Sequence, residues 1–152
     1  MTMTELKTGV DVRTKEVGGQ AIFTILFSRA AAKEWGLAIG RGRGKANLSF
    51  EVRQAEPQPN MRYYVEFAAP AMPRAEVFVD GSRTVFRLNR NQFDQIYSFL
   101  KPYCDTGMSS VDHIDLQGYF HSQPQRDVYI ILKVPNSAVP LTPEQAEKWL
   151  PG

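Results

Sequence analysis

The stretch Gly18-Gly-Gln-Ala-Ile-Phe-Thr-Ile-Leu-Phe-Ser28-Arg-Ala-Ala-Ala-Lys-Glu-Trp35-Gly36 holds a turn, a strand, a helix cap and a helix in succession. Gly18-Gly19 is a two-residue hairpin signal, because the tight turns that match strand twist need positive φ. Val10–Glu16 before it and Gln20–Phe27 after it are rich in β-branched and aromatic residues, so they read as paired strands. The Ser28 hydroxyl can accept from the first N–H groups of a helix over Arg29–Trp35. Gly36 then falls where a helix commonly ends.

Downstream the same reading continues. Leu48, Phe50 and Val52 alternate with polar residues within Asn47–Arg53, the pattern of a half-buried strand. In Met61–Phe67, Tyr63, Val65 and Phe67 share one face, with Arg62, Tyr64 and Glu66 on the other. Glu76–Val79 and Arg83–Leu88 flank the hairpin turn Asp80-Gly81. Phe93, Ile96, Tyr97 and Leu100 mark an amphipathic helix, capped by Asn89 or Asn91 and stopping before Pro102. Strands follow at Val111–Phe120 and Asp127–Val134, and Thr142-Pro-Glu-Gln145 opens a short C-terminal helix over 142–150. The Pro-rich stretches Glu56–Asn60 and Pro70–Arg74 are connectors too short to separate domains.

The chain of 152 residues therefore reads as a single domain, 1–152, with a pseudo-repeat of strand, strand, helix, strand, strand over 10–67 and 76–134. The expected class is α+β: twisted antiparallel sheets with two or three short helices, in a duplicated ββαββ arrangement.

Composition narrows the function. The hydrophobic fraction of 43% is that of a folded globular chain. A single cysteine, Cys104, excludes an internal disulfide and a cysteine-based zinc cage, and points to a reducing compartment. The polar N-terminus and the lack of any long apolar run point to the cytoplasm, with no membrane partner. Charge is uneven: residues 1–90 hold 14 Lys/Arg against 9 Asp/Glu, and residues 91–152 hold 4 against 7.

The basic excess centres on Ile39-Gly-Arg-Gly-Arg-Gly-Lys45, where cations alternate with glycines. Such a loop lets backbone approach a partner closely while its side chains supply positive charge, which suits a polyanion. Arg41, Arg43 and Lys45 are the expected phosphate contacts, with Arg29, Lys33, Arg53 and Arg62 extending the track. In the second half Arg83 and Arg87 share a strand face and Arg90 lies just beyond. Tyr64 is the expected stacking residue, since an exposed ring is worth about 1–3 kcal/mol per unstacked base. Mixed Arg/Tyr sheet faces suit single strands better than duplex.

Other motifs fail on spacing. The loop lacks the first glycine of a nucleotide-triphosphate loop, where Ile39 stands, and Lys45 is followed by Ala46. Asp112, His113 and Asp115 alternate faces on a strand, and with His121 and Asp127 they read as surface polar residues. No catalytic constellation, metal or organic cofactor is indicated, so the chain reads as a non-enzyme.

Two resemblances rest on particular residues. Thr24-Ile-Leu-Phe-Ser-Arg-Ala-Ala-Ala-Lys-Glu-Trp-Gly-Leu37 followed by Gly40-Arg41 resembles the strand, short helix, Leu/Gly, strand pattern of swapped-hairpin AbrB-type DNA-binding domains. It departs from them at Ser28, where they carry proline, and at the basic glycines, where they carry Gly-Asp. The sheet-rich pattern with its basic glycine loop is also similar to phage-encoded single-stranded DNA-binding proteins, including transcription regulators of the Drc type. That resemblance implies a viral homo-oligomer acting in the host cytoplasm, with Arg41, Arg43 and Lys45 binding the strand. The function expected on these grounds is sequence-tolerant binding of single-stranded DNA in replication, recombination or transcription regulation. Nothing in the residues separates DNA from RNA. The alternative is a protein–protein adaptor or inhibitor that docks on an acidic partner through the same loop.

Overall fold

The computed structural model describes residues 3–42, 47–56, 61–68, 74–109, 111–121 and 126–135, with backbone only for 51–56. Eight strands and two helices follow one another along these segments. They are β1 (Thr4–Val17), β2 (Gln20–Leu26), α1 (Arg29–Gly42), β3 (Leu48–Glu56), β4 (Arg62–Phe67), β5 (Ala75–Asp80), β6 (Arg83–Leu88), α2 (Arg90–Thr106), β7 (His113–Phe120) and β8 (Asp127–Lys133).

The strands close into one barrel in the order β1-β2-β8-β7-β5-β6-β4-β3. This corrects the expected antiparallel sheets. Pairing is antiparallel inside each hairpin, β1–β2, β3–β4, β5–β6 and β7–β8. Between hairpins it is parallel, at β1–β3, β2–β8, β4–β6 and β5–β7. The order strand, strand, helix, strand, strand runs twice along the chain, yet neither half stands as a sheet of its own.

The physical reason is connection geometry. Parallel strands need a crossover, and each helix provides one. The chain leaves β2, passes through α1, and returns in β3 on the far side of β1 and parallel to it. The path from β6 through α2 to β7 does the same around β5. Local alternation reports a strand and its buried face, but not which strand lies beside it. Closure gives every strand a neighbour on both sides, although β3–β4 and β5–β7 pair over only three residues each.

Pairing directions also place the helices. β2 and β6 both run with β4, so α1 and α2 start from the same end of the barrel, where they pack on each other. The turns Gly18–Gly19 and Gly81–Ser82 lie at the opposite end, and the two glycines of the first turn have φ of 58° and 81°.

Both helices overrun their expected ends. α1 does not stop at Gly36 but continues to Gly42, absorbing half of the basic glycine run. A Cβ at Gly36 would stand 3.9 Å from Cys104 Sγ, and one at Gly40 would stand 3.2 Å from the Tyr97 ring. Glycines four apart fall on one helix face, and here they let α1 and α2 approach closely. Tertiary contact thus overrides the local cost of glycine in a helix, about 1 kcal/mol each. α2 passes through Pro102 and ends at Gly107, whose positive φ and N–H bond to the Tyr103 carbonyl form an ordinary helix stop. Asn89 accepts from the Gln92 N–H while the Gln92 side chain accepts from the Asn89 N–H, a reciprocal cap. Ser28 caps α1 by accepting from the Ala31 N–H. The expected helix over 142–150 lies outside the described residues.

One core fills the barrel and the gap beneath the helices. Phe120, Phe23, Phe86, Tyr63 and Phe50 form an unbroken series of ring contacts with centroids 5.3 to 6.3 Å apart. Trp35 of α1 joins its end, 4.8 Å from Phe50 and edge-on to Phe27 at 4.9 Å. Ring pairs of this kind add about 0.5–1.5 kcal/mol each beyond area burial.

Candidate functional site

Among the described residues the inward positions in the middle of the strands are core, while those near the hairpin ends, such as Glu16 and Val79, are exposed, so the candidate surface lies on the outer wall, on the hairpin ends or on the helices. Outward positions of β4 and β6 come together through their parallel register. Arg62 lies beside Arg83, Tyr64 beside Val85 and Glu66 beside Arg87.

Near the hairpin end, Arg62 and Arg83 are both exposed. The Arg83 guanidinium lies 4.9 Å over the Tyr64 ring, a cation–π contact, and 3.6 Å from a Glu66 oxygen. Tyr64 is half-buried on this wall, with the Arg62–Arg83 pair one row toward the hairpin end.

Farther toward the helices, the wall is neutralised from within. Glu76 of β5 is buried on the outside of the barrel, at 6% exposure, because long side chains close over it. Its carboxylate lies 3.3 Å from Arg87 Nη1 and 3.5 Å from His121 Nδ1, and it accepts from the Tyr119 hydroxyl at 2.7 Å. That hydrogen bond holds the Tyr119 hydroxyl above its ordinary pKa. The Arg87 guanidinium also lies 5.5 Å from the Phe78 ring, whose centroid is 4.4 Å from that of His121. Arg87 is thus committed to Glu76. Its strand face was legible from alternation, and Glu76 sits directly across the Asp80-Gly81 hairpin from it; Tyr119 and His121, on and beside β7, were not legible, because β7 reaches β5 only through the α2 crossover.

The remaining candidates separate. Arg29 opens α1 and donates from Nε and Nη2 to the Cys104 carbonyl, at 3.2 and 3.1 Å, tying the start of α1 to the last turn of α2. Lys33 and Arg41 are exposed along α1, and Arg90 is exposed at the start of α2. Arg43 and Lys45 lie outside the described residues, as does the side chain of Arg53. Arg62 sits at the hairpin end of β4, a strand's length of roughly 17 Å from the helices at about 3.3 Å per residue. Among the described residues Arg62 and Arg83 stand together on the wall, and Lys33 and Arg41 stand apart from them on α1.

His113 also differs from the alternation reading. Asp112 Oδ1 is 2.7 Å from its Nδ1 and Asp115 Oδ1 is 3.9 Å from its Nε2, so the three meet at the start of β7. The hydrogen bond from His113 lowers the Asp112 pKa. Between α2 and β7 lies a shallow groove of about 490 Å³ lined by Phe99, Pro102, Ser109, Val111 and Ile114. Among the described residues, no three of His, Cys, Asp or Glu are grouped to hold a metal ion, and no helix is long and apolar enough to cross a membrane.

No family model matches this chain, and no curated protein does. Among solved structures it is similar to the crystal structure of Drosophila Suppressor of Fused, at 12% identity and a TM-score of 0.41 over 88% of this chain. The chain spans 30% of the length of that structure. A likeness at this level carries no argument about function.

Proposed function

We propose that the protein binds single-stranded DNA without strong sequence preference, through the hairpin half of the β4–β6 wall. The observation that supports this is the exposed pairing of Arg62 with Arg83 beside Tyr64, with the Arg83 guanidinium 4.9 Å over the ring. Two guanidiniums supply phosphate contacts at fixed spacing, and the ring supplies a stacking face for a splayed base. Arg41 and Lys33, on α1, form a second basic group that a longer strand can reach by passing along the wall. Each phosphate neutralised releases counterions, so affinity falls as salt rises.

The ion pairs Arg83–Glu66 and Arg87–Glu76 favour the second reading, docking on an acidic protein, because they reduce the net charge of the wall while keeping its donors in place. Fluorescence anisotropy with a labelled oligothymidylate, at two salt concentrations, separates the two. The account predicts salt-sensitive binding that the double variant Arg62→Ala, Arg83→Ala weakens by about tenfold or more with a flatter salt dependence. Tyr64→Leu should weaken it by roughly fivefold to a hundredfold while leaving the salt slope unchanged, since a loss of about 1–3 kcal/mol of stacking involves no phosphate. No uptake of the oligonucleotide at low salt would leave the protein-docking reading.

A further inference from the structure

The wall on the other side of the barrel has the opposite character. Across β1, β2, β8 and β7 the register aligns Arg13, Thr24, Ile131 and Asp115 in one row. The rows on either side place Ile22 beside Tyr129 and Leu26 beside Lys133. These side chains point outward, because the alternating positions Phe23, Ile25, Ile130 and Leu132 are core. Ile22, Leu26, Tyr129 and Ile131 therefore make a half-exposed apolar stripe where β4 and β6 carry charges.

Charge is sorted to the two sides of that stripe. On the β1 side Arg13 and Lys15 are exposed, with Asp11 half-buried beside Leu26, and Lys133 lies on β8 beside His113. On the β7 side stand Asp115 and Asp112, with His113 between them and its Nδ1 held by Asp112. We infer that this wall is a two-fold interface at which a second copy of the chain docks face to face. A two-fold axis through the Thr24–Ile131 pair lays apolar stripe on apolar stripe. With the axis lying between the copies and along the strands, Arg13 of each copy comes over Asp115 of the other, so the same complementary contact forms twice. A self-complementary patch of this kind is what a two-fold dimer requires. A partner of uniform charge would meet repulsion along one side.

An apolar centre with a polar rim is also the usual layout of such interfaces.

Sedimentation velocity of the full chain over the micromolar range tests the inference. The wild type should be a concentration-dependent dimer. Arg13→Glu and Asp115→Arg should each weaken self-association by about tenfold or more, and the double variant should restore it, because exchanging the signs rebuilds the complementary contact. Circular dichroism confirms folding of each variant. If Arg13→Glu does not fold, Lys15→Glu at its exposed position gives the same readout. A monomer at every concentration would overturn the inference and leave this face to a different partner. So would a larger assembly, a dimer indifferent to all of these changes, or a double variant no tighter than the singles. None of these outcomes bears on oligonucleotide binding by the β4–β6 wall.

Discussion

A methyl group added at Gly118 would stand 2.6 Å from the Ala75 carbonyl oxygen and 2.9 Å from its Cβ. The oxygen belongs to the neighbouring strand backbone and the Cβ is fixed to it, and Ala75 is the register partner of Gly118, so β5 and β7 could accommodate the group only by separating. Gly40 is different: its added Cβ would meet the edge of the half-buried Tyr97 ring at 3.2 Å, and a side chain can turn aside. Urea unfolding should therefore show Gly118→Ala losing about 2–4 kcal/mol, whereas Gly40→Ala stays within about 1 kcal/mol because better helix propensity offsets the crowding. Equal losses would contradict this reading of the two sites. Cys104 gives a second test. Burial, with the nearby Asp105 charge, raises its thiol pKa, so the thiolate is scarce near neutrality. At pH 8 iodoacetamide should modify it more slowly than it modifies glutathione, with the rate still climbing at a pH where glutathione has levelled off. An equal or faster rate would contradict the assignment.

At the scale of elements, α2 depends on its cap. Asn89 is buried at the junction of β6 and α2, and the reciprocal bonds with Gln92 satisfy donors that no other helical residue reaches. Asn89→Ala should cost about 1–2 kcal/mol in thermal or urea unfolding, and Asn89→Ser or Asn89→Asp should recover much of it. A neutral Asn89→Ala would show that the cap contributes little. The caps at Ser28 and Asn89 were legible because they are local. The helix ends were not. Gly36 and Pro102 are ordinary stop signals, and here the contact of α1 with α2 outweighs the first. The second is tolerated on the exposed side of α2, where the proline forgoes its bond to the exposed Ser98. Half of the basic glycine run is helix for the same reason, so the spacing of Gly36 and Gly40 serves helix contact.

For the whole molecule, composition, turn signals and alternation located eight strands, and alternation picked out the buried face of β4, where Tyr63 and Val65 point inward as their period demands. It could not locate closure or the parallel pairs, which depend on residues far apart in the chain. The candidate site divides along the same line. Arg62 and Tyr64 share a face that strand period alone predicts. The Arg87–Glu76 pair is a contact across one hairpin, whereas the capture of Arg29 by the Cys104 carbonyl arises from tertiary neighbours that no period announces. With those two cations occupied, the wall around Arg62, Tyr64 and Arg83 carries the functional claim. Its most direct test is a nitrogen–proton NMR titration of the full chain with oligothymidylate. The account predicts shifts concentrated at Arg62, Tyr64, Arg83 and their β4–β6 neighbours that fade as salt is added. Shifts confined to the β2–β8 wall or to α1, or no shifts at low salt, would contradict it.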